Sequence, residues 1–151
     1  MGQYSKKGLY SAYDKNHKER EALDYYSTPT EEVTNILEIL NKEGLEDSTI
    51  LEPCCGGGHM IEGILKYGAT KIIGTDIKDR GYNNSNLTLT YGLDYLADDY
   101  PYSTSDYIIM NPPYDRSLHL KIFQEAMKHS DDVVNLSPIR WLQDPLAEYK
   151  N

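Results

Sequence analysis

Asn111-Pro112-Pro113-Tyr114 follows directly on the apolar run Tyr107-Ile108-Ile109-Met110, and its residue types can hold a planar ring that bears an amine. Proline fixes φ, carries no N–H and restricts the residue before it, so a strand running into Asn111 stops abruptly and leaves a rigid loop. That loop offers one side-chain amide, backbone carbonyls that no neighbouring proline N–H can occupy, and one aromatic face. Amide and carbonyl oxygens accept the hydrogens of an amine, while the Tyr114 ring stacks on the face of the ring that carries it. Asn-Pro is also an ordinary turn dipeptide, so these four residues alone leave a plain strand-ending turn open.

A second set lies upstream. Thr49-Ile50-Leu51 is followed by Glu52-Pro53-Cys54-Cys55-Gly56-Gly57-Gly58, then by His59, Met60, Ile61, Ile64 and Leu65 at helical spacing. Strand, glycine turn and helix in that order aim free backbone N–H groups at a ligand and let its backbone approach closely. Lys71-Ile72-Ile73-Gly74-Thr75-Asp76 then reads as a second strand, ending in an acid 20 residues after Gly56. That is the spacing at which an acid reaches ribose hydroxyls, and the pair points to an adenosine-containing cofactor. The plainer alternatives are a turn residue for Asp76 and a helix N-cap partner for Glu52.

The elements that must position these groups are legible as patterns. Thr28-Pro29-Thr30-Glu31 predicts a helix start, with Thr28 as N-cap, Pro29 at the first helical position and Glu31 completing a capping box. Val33, Ile36, Leu37 and Leu40 give that helix one buried face, and Gly44 supplies its stop. The alternating Leu87-Thr88-Leu89-Thr90-Tyr91 predicts a third strand after a connection, Ile77 to Asn86, of only ten residues. Parallel crossovers usually need a dozen or more, so the crossover is abbreviated or the strand displaced. Asp94 falls near the expected sheet edge or caps a helix. Asp106 to Met110 is a fourth strand; Leu118, Ile122 and Ala126, with Phe123 and Met127 beside them, mark a helix closing near His129. Asp132 to Leu136 is a fifth strand, ended by Ser137-Pro138. Strands alternating with helices predict an α/β fold, doubly wound around a mostly parallel sheet, with its ligand loops at the strands' carboxyl ends.

Composition sets the outer bounds. The 151 residues, 39% hydrophobic, suffice for one core, in a domain expected over 27–151 behind a polar arm at 1–26. No run approaches the roughly 18 apolar residues of a membrane span, and the start carries no signal-peptide pattern, so the cytoplasm is the expected compartment. Cys54 and Cys55 are adjacent and the only cysteines, which provides neither a disulfide framework nor a spaced zinc site. His17, His59, His119 and His129 share no ligand spacing, and solvated or internally satisfied rings are expected. The net charge of −9 is uneven: residues 1 to 20 hold five Lys/Arg against two acids, the remainder ten against twenty-two. An acidic body repels a phosphate backbone.

Together these motifs resemble the class I S-adenosyl-L-methionine-dependent methyltransferases, and specifically the N6-adenine DNA methyltransferases. Thr28-Pro29 after Tyr25-Tyr26 is similar to that group's upstream cofactor motif, Glu52 to Gly58 to its glycine-rich first motif, and Gly74-Thr75-Asp76 to its ribose motif. Asp94 resembles the acid that contacts the cofactor's adenine, and Asn111 to Tyr114 the catalytic motif; the motif order is that of the gamma arrangement. The resemblance implies catalytic roles for Asn111, Pro112, Pro113 and Tyr114. It implies cofactor contacts from Tyr26, Thr28, Glu52, Pro53, Cys54 and Gly56, and further ones from Gly58, Asp76, Ile77, Asp94 and Asn111.

The expected reaction is methylation of the adenine N6 amine in DNA. RNA adenine, a protein glutamine amide, or a non-catalytic cofactor-binding subunit are the alternatives, since other methyltransferases share the Asn-Pro-Pro-Tyr loop. An exocyclic aromatic amine is a poor nucleophile because its lone pair is delocalised; hydrogen bonds to the Asn111 oxygen and Pro112 carbonyl would favour a pyramidal, more reactive nitrogen. The family fold has seven strands and its gamma members a target-recognition domain, whereas this chain reaches about strand five. A longer parent protein, or a partner that covers the open edge and supplies the basic DNA-binding surface, is therefore expected.

Overall fold

Ile50 and Leu51 are neighbours in one strand and both are essentially buried, so the sheet that holds them is covered on two faces. A computed structural model describes residues 27–40 and 43–138 of the chain. Its elements run α1 (Thr30–Ile39), β1 (Thr49–Glu52), α2 (His59–Tyr67), β2 (Lys71–Asp76), β3 (Thr88–Tyr91), β4 (Tyr107–Met110), α3 (Arg116–His129) and β5 (Asp132–Asn135). The five strands form one sheet in the order β3-β2-β1-β4-β5, and every pairing among them is parallel.

Side chains alternate across that sheet. Ile50, Ile72 and Ile109 face one core with Val33 and Leu37 of α1 and Ile61 and Ile64 of α2. Leu51, Ile108 and Met110 face the other, against Ile122 and Ala126 of α3. Helices on both faces of a parallel sheet make the Rossmann-like, doubly wound α/β arrangement that the patterning predicts. The third-strand ambiguity resolves as an abbreviated crossover: β3 pairs β2 directly, and residues 77–87 between them contain no helix. Among the described residues no helix is long and apolar enough to cross a membrane. The arm expected over 1–26 lies outside the described residues.

Three expectations about α1 need correction. The helix begins at Thr30, its N-cap is Pro29 and no side chain caps it, because Thr28 Oγ1 is engaged elsewhere, with Asn111. Leu40 is 46% exposed, since the helix ends at Ile39 and Leu45 fills the core instead. Gly44, with φ of +80°, belongs to the turn that follows rather than to the helix stop.

Gly63 explains how closely α1 and α2 approach. A Cβ at this position would lie 2.5 Å from Val33 Cβ and 2.9 Å from the Thr30 carbonyl oxygen, and neither atom is the end of a flexible side chain. Alanine gains up to about 1 kcal/mol of helix propensity over glycine, but overpacking of this kind costs about 1–3 kcal/mol. Gly63→Ala should therefore destabilise the protein, read as a lower denaturant midpoint at unchanged slope; a raised midpoint would show that the helices separate freely.

Candidate active site

The strand order reverses between β1 and β4, and the crevice at the carboxyl ends of strands flanking such a point is where open α/β sheets hold ligands. A cavity of about 190 Å³ occupies it. Pro53 and Cys54 from the β1 loop, Asp76 from β2, and Asn111 and Pro113 from the β4 loop share its wall. Ile77, Asp94, Leu96, Leu118 and Ile122 complete much of the rest. A smaller cavity shares Cys54 and Asn111 with the first and adds Ser27, Thr28 and Glu52. The glycine-rich loop and the Asn-Pro-Pro-Tyr loop thus meet across one crevice.

Glu52 is 0% exposed, the most enclosed acid of the site. Its Oε1 accepts the Cys54 N–H at 3.0 Å, while Oε2 is buried with no hydrogen-bond partner among the described residues. Burial pushes its carboxyl well above the usual range; the Cys54 N–H opposes that shift and the nearby Asp76 charge adds to it. Burial, reinforced by the Glu52 and Asp76 charges, likewise raises the Cys54 thiol, so it stays protonated. Cys55 instead packs into the α1/α2 core while Cys54 packs on the α3 side, which turns the adjacent thiols to opposite faces.

The glycine loop corrects one expectation. The predicted free N–H groups are largely used within the protein: Gly56 N donates to Asp76 Oδ2 at 2.8 Å, Cys55 N to the Thr75 carbonyl and Gly58 N to the Cys55 carbonyl. Asp76 accepts from Lys78 N as well, at Oδ1. It is both a wall of the cavity and the clamp that shapes the loop. Gly58 has φ of +82°, and a Cβ there would lie 2.2 Å from the Tyr82 ring, so glycine is required by conformation and by space together.

On the other loop, Asn111 Nδ2 donates to Thr28 Oγ1 at 2.7 Å, tying β4 to the segment that enters α1. The carbonyl oxygen on the other branch of the planar amide is buried. Tyr114 is half-buried; burial raises its phenol, which a hydrogen bond with the Asn111 side chain opposes. Asp115 caps α3 by accepting the Leu118 N–H at 3.0 Å, so the loop passes straight into a rigid helix.

The structure brings most of the sequence-predicted residues together and leaves some aside. Pro53, Cys54, Asp76, Ile77, Asp94 and Asn111 line the main cavity, with Pro113 beside them; Thr28 and Glu52 line the smaller one. Gly56, Gly58 and Pro112 are buried, and neither they nor Tyr114 form the wall of either cavity. Asp94 caps no helix: its Oδ1 accepts the Leu96 N–H in a turn. Tyr26 lies outside the described residues. For His119 the sequence predicts only a solvated or internally satisfied ring; it is satisfied, and its place beside the loop is what was missed. His119 is fully buried, with Nδ1 3.3 Å from the Pro113 carbonyl and Nε2 3.0 Å from Asn135 Nδ2. Its position three and seven residues before Ile122 and Ala126 puts it on the buried stripe of α3, and that spacing is the signal that could have found it.

No protein-family model and no curated protein matches the chain. Solved structures do. A candidate RNA methyltransferase from Pyrococcus horikoshii superposes with a TM-score of 0.63 at 20% identity, over 81% of this chain and 69% of that one. A Thermoplasma acidophilum protein gives 0.59 at 19%, over 76% and 63%. The ribosomal protein L11 methylase of Lactobacillus delbrueckii subsp. bulgaricus gives 0.57 at 19%, over 79% and 66%. The chain spans about two thirds of the length of each, and what it shares with them is the Rossmann-like fold.

Proposed function

We propose that this chain is an S-adenosyl-L-methionine-dependent methyltransferase whose acceptor is an exocyclic amine, most specifically the N6 amine of adenine in DNA. The observation that carries the reading is the common crevice of two loops: Cys54 and Asn111 line both cavities, between Glu52 and Thr28 on one side and Asp76 and Asp94 on the other. When bound, the cofactor supplies a methyl group made electrophilic by a sulfonium charge. The residues present suit such a ligand. Glu52 Oε2, buried without a partner among the described residues, becomes a carboxylate oxygen when an arriving cationic group displaces its proton to solvent, and Asp76 and Asp94 offer oxygens to hydroxyls and ring amines. Ile77, 49% exposed, presents an apolar edge to a ring. The Cys54 thiol, kept protonated, does not compete with the acceptor for the methyl.

The chain's own part in the transfer is placement. The Asn111 carbonyl oxygen and a proline carbonyl of the loop accept the amine's hydrogens, draw its nitrogen toward a pyramidal geometry and aim the lone pair across the crevice. Tyr114 stacks on the ring that carries the amine. A base in a duplex must leave its stack to reach this loop, at a cost of a few kcal/mol. Charge is dispersed rather than created as methyl moves, so fixed dipoles and alignment carry the rate and no strong base is needed beforehand.

The acidic body implies that nucleic-acid affinity comes from a partner chain or a further domain. RNA adenine and a protein glutamine amide stand as alternative acceptors; the Pyrococcus neighbour is named for RNA and the Lactobacillus neighbour for a ribosomal protein, which favours neither adenine nor amide in particular. Titration of the purified chain with S-adenosyl-L-methionine, followed by calorimetry, should give saturable heat; none at millimolar cofactor overturns the enzyme reading. Labelled methyl should then appear in adenine-containing DNA in preference to RNA or glutamine peptides. Binding without transfer to any of them would make the chain a cofactor-holding subunit.

A further inference from the structure

His119 is buried in α3 with a hydrogen bond at each ring nitrogen, and the partners fix its protonation. Asn135 Nδ2 can only donate, so Nε2 accepts; the ring proton then sits on Nδ1 and is donated to the Pro113 carbonyl. Burial pushes the imidazole below its usual range despite the opposing bonds to the Pro113 and Pro112 carbonyls and to Asn135, so the ring is neutral.

The partners also fix the ring in space. Asn135 ends β5 in register with Met110, the residue before Asn111, and Leu136 N donates to the Met110 carbonyl at 3.0 Å. His119 therefore bears on the same paired strands that carry the amine-binding loop, while its backbone N–H donates to the Asp115 carbonyl at 2.8 Å. The Pro113 carbonyl sits on the peptide that leads into Tyr114, whose ring centroid is 6.2 Å from that of His119. Turning that carbonyl turns Tyr114. A side chain needed only to fill volume here would be apolar, as Ile122 and Ala126 are on the same stripe.

We infer that His119 is a positioning residue for the transfer: bound to Asn135 at one nitrogen and to the Pro113 carbonyl at the other, it sets the pitch of the loop that presents Asn111 and Tyr114. This rests on the reading of that loop as the amine-binding element. Two substitutions separate the two bonds. In His119→Asn the amide nitrogen falls near the Nδ1 position and keeps the donor to Pro113; in His119→Gln the amide reaches toward Asn135 and the donor to Pro113 is lost.

Nitrogen-15 NMR of the wild type should show the Nδ1–H tautomer, and the Asn111 side-chain amide resonances should move in His119→Gln while staying near their wild-type positions in His119→Asn. With an accepted substrate, His119→Gln should lower kcat about 100-fold, the loss expected from a misplacement on the order of 1 Å. Cofactor affinity should fall far less than kcat, since Glu52, Asp76 and Asp94 keep their places although Pro113 and Asn111 of the cavity wall shift, and His119→Asn should recover most of the rate. An Nε2–H tautomer, or Asn111 resonances that move equally in both variants, overturns the inference. If the wild type methylates nothing, the enzyme reading falls while the resonances still decide whether His119 sets the loop.

Discussion

Glu52→Gln is expected to raise the melting temperature of the ligand-free protein at neutral pH and, in the same variant, to shrink the thermal shift produced by S-adenosyl-L-methionine. The carboxyl of Glu52 is fully buried and held well above its ordinary value of 4.5, chiefly by loss of water. The native state therefore keeps its proton at pH values where the unfolded chain has released it. Stability attached to this group is complete below about 4.5 and falls as pH rises toward the buried value, by about 1.4 kcal/mol per pH unit in that window. Glutamine reproduces the protonated form, with an acceptor for the Cys54 N–H and a donor at the second position, and removes the pH slope. What it cannot offer is the carboxylate oxygen that a cationic ligand would meet. A hydrogen bond to a charged group is worth roughly 1.5–3 kcal/mol, so cofactor affinity should fall about 10- to 100-fold. A variant that is no more stable than the wild type, and is still shifted as far by cofactor, would place the ligand's charge elsewhere.

What could be read from the residues alone follows the range of the interactions involved. The strands were legible because apolar runs bounded by glycine, acid or proline are local signals, and the doubly wound order follows from their alternation with helices. Thr28 was misread because its partner, Asn111, lies 83 positions away. A threonine before proline has the same local signature whether it caps a helix or holds the amide of a distant loop. Asp76 shows the same degeneracy in another form. An acid spaced to reach a ribose is also spaced to accept the Gly56 N–H, and in the folded chain its carboxylate is first of all the loop's clamp. Leu40 kept the helical period one residue beyond the point where the helix stopped, since a period carries no marker of its own end. His119 is an internally satisfied ring, as expected, and its position on the buried stripe was legible; what was not legible is that its partners are Pro113 of the loop and Asn135 of β5, a pairing only the fold makes.

Asn111→Ala should lower kcat for methyl transfer about 10²- to 10³-fold, the range seen when a single dipole aimed at a reacting centre is removed, with cofactor affinity reduced no more than a few-fold. The residue has two distinct jobs, and a second substitution tells them apart. Its Nδ2 holds Thr28, which is 6% exposed, so truncation strands a buried hydroxyl and should also cost about 1–3 kcal/mol of stability. Thr28→Val removes the same hydrogen bond from the other end while leaving the Asn111 oxygen in place. If that oxygen meets the amine, Thr28→Val loses transfer far less than Asn111→Ala although both lose the bond, and measurement of kcat, cofactor Kd and melting temperature on the pair shows it. Equal loss of transfer would reduce Asn111 to a strut between β4 and the start of α1. The catalytic reading then fails even if the cavity binds its cofactor, because the crevice would hold a methyl donor with no group in this loop to bring an amine to it.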